Sequence, residues 1–438
     1  MTYPENRPVS KALHDRAKRV MPGGNTRTTV YIDPFPLYGA RGAGCRVYDV
    51  DGNEMIDCIN NFTAMIHGYA NDHVNQAVSR QLPLGTAFGM PTASELDLAE
   101  LLVGRLPGVE HIRFANSGTE AVMMALKAAR AFTGRHKIAK VEGAYHGSYD
   151  YAEVSLDSNP SNWGDGKPAS VPYAKGTPPS VLDDVVVLPM NDLEAAAAIF
   201  AEHGSELAGV LIDPMPNRAG LIPADRDYLE EIQRLCRASG ALVIFDEVIA
   251  FRLGFGGAQS IWGITPDLTA LGKIIGGGFP IGAIGGSAEV MSVFDPSKGK
   301  PALPHGGTFS ANPISMVAGH AAMEILDQAT FARLDAQGDH VRREIGARFK
   351  RRGLPGQVTG LGSLFKLHFT DDPIRDYRSG FPDATARRRL DVMHKALLNN
   401  GILAAGYGLF ALSTPMTDAD IDLIVDRSDA ALAAVAAI

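Results

Sequence analysis

Between residues 111 and 248 short apolar runs alternate with stretches of helical spacing, and this rhythm constrains the fold more than any other feature of the chain. The runs are HIRF at 111–114, KIAKV at 137–141, DVVVLP at 184–189, AGVLID at 208–213 and ALVIFDEV at 241–248. The pattern predicts an α/β fold: a mostly parallel, doubly wound sheet with helices on both faces. In such a sheet the residues that meet ligands stand at the carboxyl ends of the strands.

The flanks read differently. GCRVYDVDGNEMIDC alternates apolar and polar residues around Asp51-Gly52, which predicts a hairpin. Beyond the alternating block, 325–352 has helical spacing, SLFKLHF at 363–369 and LFALS at 409–413 read as strands, and 418–437 reads as a closing helix. We therefore expect a large domain over 76–324 and a smaller α+β domain built from both ends, 1–75 and 325–438. The stretch 156–180 is dense in Pro, Gly, Ser and Asn and predicts an ordered functional loop or a lid.

A formal net charge of −8 over 438 residues argues against a nucleic-acid or anionic-membrane partner, either of which needs a dominant basic field. Cys45, Cys58 and Cys236 form no C-x-x-C pair, so neither a disulfide framework nor a metal site is expected. The polar N-terminus lacks the apolar segment of a secretory signal, and no run approaches a membrane span, so the expected compartment is the cytoplasm.

Four segments carry chemistry. RFANSGTEAVMMALKAARAFTG ends a strand at Phe114 and enters a helix through Ser117-Gly118-Thr119, where free N–H groups and the positive helix end favour a phosphate; the plainer reading is an N-cap with Glu120 complementing the dipole. ALVIFDEV leaves Asp246 where a buried strand runs out, a costly place for a lone carboxylate unless a ligand cation such as a protonated pyridine pairs with it, or it simply caps a turn. Glu247 beside it is read as a hydrogen-bonding structural residue. In TALGKIIGGGFPIGAIGG the lone Lys273, desolvated among apolar residues, becomes a nucleophile and base; the alternative is a surface lysine beside a flexible loop. Its glycines do not make a dinucleotide fingerprint, because Ile281 stands where the third glycine is required. EGAYHGSYD places Tyr145 at a strand end to stack on a flat ring, with His146 as a base, a donor or a structural histidine. No spacing of His and carboxylates calls for a metal.

In their order and spacing, NSGTEA, YHG, FDEV, LGKIIGGG and HGGTFSANP resemble the class III pyridoxal-phosphate-dependent aminotransferases of fold type I, the aspartate-aminotransferase-like fold. Within that class they look most like the glutamate-1-semialdehyde aminomutase subgroup, nearest in pattern to β-phenylalanine and other β-amino-acid aminotransferases. The resemblance implies pyridoxal 5'-phosphate held as a Schiff base on Lys273, Asp246 on its ring nitrogen, Tyr145 and Val248 on the ring faces, His146 nearby, and Ser117, Gly118 and Thr119 around the phosphate. It also implies a homodimer in which Thr308 reaches the neighbouring site.

The departures bear on the reaction. Gly408 stands where we align an aminomutase glutamate, DEVIAFRLG is one residue short of the aminomutase version, and the glutamate of the family's E-P motif is Asp213 here. The expected activity is therefore transamination from an amino acid, a β-amino acid included, or an amine to a keto acid such as pyruvate or 2-oxoglutarate. Aminomutation, racemisation or decarboxylation on the same cofactor are the alternatives. By resemblance to β-phenylalanine aminotransferase, Arg27 reads the substrate carboxylate with its planar fork. That family's second arginine appears here as Tyr407, with Arg218 as a substitute cation in the opposite pocket.

Overall fold

The computed structural model describes residues 2–438. Three strands lead the chain, β1 (Gly39–Ala43), β2 (Arg46–Asp49) and β3 (Glu54–Asp57). Seven follow in the central block: β4 (His111–Ala115), β5 (Lys137–Val141), β6 (Val185–Leu188), β7 (Leu207–Ile212), β8 (Leu242–Asp246), β9 (Leu268–Gly272) and β10 (Gly282–Gly286). The C-terminal part adds β11 (Gln357–Thr359), β12 (Leu364–His368), β13 (Ile402–Leu403) and β14 (Leu409–Ala411).

The central strands form one seven-stranded sheet in the order β4-β10-β9-β8-β7-β5-β6. Strands β5 to β9 pair in parallel, whereas β10 runs antiparallel to both β4 and β9. All five residues of β8 are buried, as expected of a parallel strand covered on both faces. Its side chains alternate: Leu242 and Ile244 join the core under helix Gly118–Thr133, while Val243 and Phe245 join the core under helix Arg226–Ser239. On the latter helix Tyr228, Leu229, Ile232 and Cys236 recur with helical spacing and are buried, and each apolar side chain of this size contributes roughly 1.5–3 kcal/mol on burial.

The hairpin expected around Asp51-Gly52 is present as the antiparallel β2–β3 pair. Parallel pairing of β13 with β3 then brings the C-terminal chain onto the N-terminal sheet, in the order β1-β2-β3-β13, and β11-β12-β14 make a third sheet. No strand was expected over 282–286. GAIGG has few residues of high β propensity, and pairing on both sides decides its state.

The polar stretch after residue 156 is an ordered loop tied to the C-terminal part. Arg378 donates from Nε to Glu142 Oε2 at 2.8 Å and from Nη1 to the carbonyl of Gly164 at 2.9 Å. The Tyr377 hydroxyl donates to the carbonyl of Ser158 at 2.6 Å, and Trp163 packs edge-on against Phe381 with ring centroids 5.5 Å apart. Among the described residues no helix is long and apolar enough to cross a membrane.

Candidate active site

Five strands end at one edge of the central sheet, and each delivers a polar group there. After β4 the chain enters helix Gly118–Thr133 with Ser117 as its N-cap, Oγ accepting from the N–H of Glu120 at 3.2 Å. The Glu120 carboxylate returns to accept from the N–H of Asn116 at 2.7 Å. The cap reading of this turn is thus correct, and it leaves room for an anion, because the first-turn N–H groups of Gly118 and Thr119 have no partner within the helix.

After β5 the loop bearing Tyr145 and His146 folds back onto that helix start. Ser148 N–H donates to Thr119 Oγ1 at 3.2 Å. Gly147 turns with φ +86, and a Cβ there would lie 2.4 Å from the same Oγ1, so only glycine permits this close approach. Tyr145 remains 40% exposed.

At the end of β8 the buried Asp246 accepts from the N–H of Val248 at 3.0 Å through Oδ1. Its Oδ2 lies 2.8 Å from His146 Nδ1, and His146 is itself buried. Burial pushes the imidazole pKa down, against the pull of Asp246, so the neutral ring donates its Nδ1–H to the carboxylate. His146 Nε2 is buried with no hydrogen-bond partner. Glu247 points away into structure: its carboxylate accepts from Ala258 N–H at 2.6 Å and from Gln259 Nε2 at 3.0 Å, and burial raises its pKa to about 7.

Lys273 follows β9 in the left-handed region, φ +51, and reaches the same edge. Burial lowers its pKa, and the charges of Asp246 and Asp213 partly oppose that shift. Asp213, at the end of β7, is buried and accepts from the N–H of Met215 at 2.9 Å; burial and the like charge of Asp246 push its pKa well above the carboxylate range. The group assembled here is an anion-binding helix start, a buried carboxylate with spare acceptor capacity, and a desolvated amine. That set fits a phosphorylated, cationic heteroaromatic aldehyde. The spacing of Gly118 and Val248 supports the fit: a Cβ on Gly118 would stand 2.8 Å from Val248 Cγ1, so the bare glycine keeps both the phosphate turn and the valine face in place.

Arg27, expected to read a substrate carboxylate, is exposed. Its Nη1 donates to Asn61 Oδ1 at 2.7 Å, its guanidinium carbon lies 5.1 Å from the Phe62 ring centroid, and its charge acts on Lys273. Asn61 and Phe62 belong to a turn, Asn60–Thr63, whose four residues all have positive φ (51, 47, 55 and 73). For residues other than glycine this costs roughly 1–2 kcal/mol each, least for Asn. Arg218 and Tyr407 share a cleft, with Lys366 beside them. Lys366 Nζ donates to the carbonyl of Asn217 at 3.0 Å and lies 5.5 Å from the Tyr407 ring centroid. Burial and the charge of Arg218 lower its pKa to about 8. Thr308 is exposed, in a loop whose Ser310 Oγ lies 3.5 Å from Asn116 Nδ2.

Sequence reasoning missed Asn61, Phe62 and Lys366. N-N-F-T carries no glycine to announce a left-handed turn, and Lys366 sits at a strand position where only burial reveals an ammonium without a carboxylate.

The sequence model of the family described as aminotransferase class-III matches residues 29–432. Glutamate-1-semialdehyde 2,1-aminomutase 2 of Halalkalibacterium halodurans is 38% identical over 428 residues, 96% of each chain. Among solved structures, an omega-transaminase from Sphaerobacter thermophilus is 52% identical with a TM-score of 0.95, covering 97% of each chain. A β-phenylalanine aminotransferase from Variovorax paradoxus is 37% identical with a TM-score of 0.86, over 97% of this chain and 93% of that one.

Proposed function

The chain belongs to the class III aminotransferases, pyridoxal-phosphate-dependent transaminases, and from that premise we propose that it moves an amino group from a carboxylate-bearing donor, β-amino acids included, to a keto acid. The observation that carries the substrate class is Arg27, an exposed guanidinium without a carboxylate partner among the described residues, held at 2.7 Å by Asn61 Oδ1. When bound, pyridoxal 5'-phosphate supplies an electron-withdrawing ring that accepts the electron pair released at the substrate carbon.

The residues divide the remaining work. Ser117, Gly118 and Thr119 hold the phosphate through the helix start. Asp246 holds a proton on the ring nitrogen, and His146 fixes that carboxylate by donating from Nδ1. Tyr145 and Val248 orient the ring from its two faces. Lys273, with its charged form disfavoured by burial, is the amine that would hold the cofactor, and as a base it would take the proton from the carbon bearing the substrate amine. Arg27 binds the donor carboxylate, and Arg218 with Tyr407 lines the opposite pocket.

Transamination is favoured over aminomutation by position 408. Gly408 has φ +87, and a Cβ there would lie 2.7 Å from the carbonyl oxygen of Leu367, so the aligned glutamate side chain has no place. A homodimer is supported by exposed apolar side chains, Phe309 in the Thr308 loop with Leu84 and Met90, which are 60%, 70% and 71% exposed and which a second copy would cover.

Product analysis of α-amino acids, β-amino acids and simple amines, with and without pyruvate or 2-oxoglutarate, tests the reading. Keto-acid-dependent formation of a carbonyl product from carboxylate-bearing donors is expected. Isomerised, racemised or decarboxylated product formed without a keto acid would overturn it.

A further inference from the structure

Arg252 is 1% exposed, and among the described residues it has no carboxylate partner. Each of its three nitrogens donates to a neutral oxygen: Nε to Ser363 Oγ at 3.1 Å, Nη1 to the carbonyl of Thr63 at 2.9 Å, and Nη2 to the carbonyl of Leu412 at 2.5 Å. A buried guanidinium so placed is costly, and its neighbours are informative. Thr63 closes the left-handed turn Asn60–Thr63, while Ser363 and Leu412 belong to the C-terminal part. Arg252 itself lies six residues after Asp246, in the segment that also supplies Val248 to the cofactor site.

The turn has other anchors. Asp57 Oδ1 accepts from the N–H groups of Ile59 and Asn60, both at 2.8 Å, and Asp57 Oδ2 accepts from the Tyr69 hydroxyl at 2.7 Å. Asn60 Nδ2 donates to the carbonyl of Ala411 at 2.5 Å. Asn60 and Thr63, which make the anchoring contacts, are buried; Asn61 is exposed and Phe62 half-buried, and both engage Arg27. Four successive positive φ values persist only where the surroundings over-determine them, and strain held this way is found where a group must be presented in one geometry.

We propose that Asn60–Thr63 is a preformed cradle that aims the Arg27 guanidinium at the substrate carboxylate, and that Arg252 is the positioning residue that keys this cradle to the segment carrying Asp246. The distance between carboxylate and reacting carbon is then set by protein bonds made before substrate arrives, which is what selects the length of the acid. This rests on the reading of Arg27 as the carboxylate receptor. Asn61 fixes the guanidinium through one N–H and leaves the other donors free to form a fork, while the Phe62 ring lies 5.1 Å from the guanidinium carbon.

The test uses the holoenzyme and two ligands that lack an amine, 3-phenylpropanoate and its uncharged analogue 3-phenylpropanamide, with dissociation constants read by titration calorimetry. Asn61→Ala should weaken the acid about tenfold, as expected for losing a hydrogen bond to a charged group, and leave the amide unchanged. Arg252→Lys keeps the charge but cannot reach all three acceptors, and should weaken the acid in the same selective way while the cofactor absorption spectrum is retained. Should Arg252→Lys fail to fold, Ser363→Ala, which removes one of the acceptors, is judged by the same acid-to-amide ratio. Arg27→Ala separates the two levels. If it leaves the ratio unchanged, the carboxylate reading of Arg27 is overturned. If Arg27→Ala is selective while Asn61→Ala and the Arg252 or Ser363 variant leave the ratio as in the parent, or weaken both ligands equally, the cradle is overturned.

Discussion

Gly118→Ala isolates the contact that couples the phosphate turn to the ring face. The added Cβ would meet Val248 Cγ1 at 2.8 Å and Cγ2 at 2.9 Å, whereas carbon atoms prefer roughly 3.5–4.0 Å, so about 1 Å of movement is required. Valine is stiff at χ1, and leaving its rotamer costs about 0.5–1.5 kcal/mol. If instead Val248 moves as a unit, its N–H drags on Asp246 Oδ1, 3.0 Å away. Overpacking of this kind costs about 1–3 kcal/mol, which is about fivefold to 150-fold in a dissociation constant. Titration of the cofactor-free variant with pyridoxal 5'-phosphate, followed by absorbance, should show a loss of up to that range, and whatever part of the cost the cofactor-free protein already carries should lower its melting temperature. Val248→Ala removes both methyl groups and leaves Cβ at 3.5 Å, so in the double variant Gly118→Ala should cost almost nothing further. Parental affinity in the single variant, or strictly additive losses in the double, would refute the contact as the cause.

Three further outcomes are expected. Borohydride treatment of the cofactor-saturated protein followed by peptide mapping should place the modified lysine at 273, and an adduct elsewhere would displace Lys273 from its role. Asp246→Asn should retain cofactor but lower turnover by about 10²-fold or more, since a neutral side chain cannot keep the ring nitrogen protonated; near-parental turnover would remove Asp246 from that role. His67, buried between Thr414 Oγ1 at 3.0 Å and the carbonyl of Ala322 at 2.9 Å, has its pKa lowered by burial from 6.5 to about 4. The unfolded chain then binds the extra proton, so stability falls as pH drops through 6.5 toward 4, by about 2 kcal/mol at pH 5 relative to pH 8 from this residue. His67→Gln should flatten that part of the denaturant-midpoint profile, and an unchanged slope would show that His67 is not the titrating group.

What the sequence disclosed and what it withheld follow from how far apart the deciding contacts lie. KIAKV at 137–141 reads as a strand because its own apolar pattern decides, and β5 occupies Lys137–Val141. The closing helix expected over 418–437 spans Asp418–Ala436, with Thr417 and Asp420 forming a capping box visible within four residues. By contrast GAIGG has no local reason to be a strand, and it becomes β10 because partners on both sides supply its hydrogen bonds. The candidate site divides in the same way. Asp246 and Lys273 could be singled out because a charged residue after a buried apolar run is anomalous on its face. The reason Arg27 points where it does is absent from its own segment, since its partner Asn61 is 34 residues away. Asn61 is in turn held by a turn that N-N-F-T would not adopt alone. The carbonyl of Thr63 is fixed by Arg252, 189 positions later, and the side chain of Asn60 by the carbonyl of Ala411, 351 positions later. A geometry imposed by two distant segments at once leaves no signature in either of them. Its trace in the sequence is the set of residues that look misplaced, among them a fully buried arginine without an acid to pair with it. Such residues, rather than the motifs, are where a substrate preference distinct from that of relatives with the same motifs would be written.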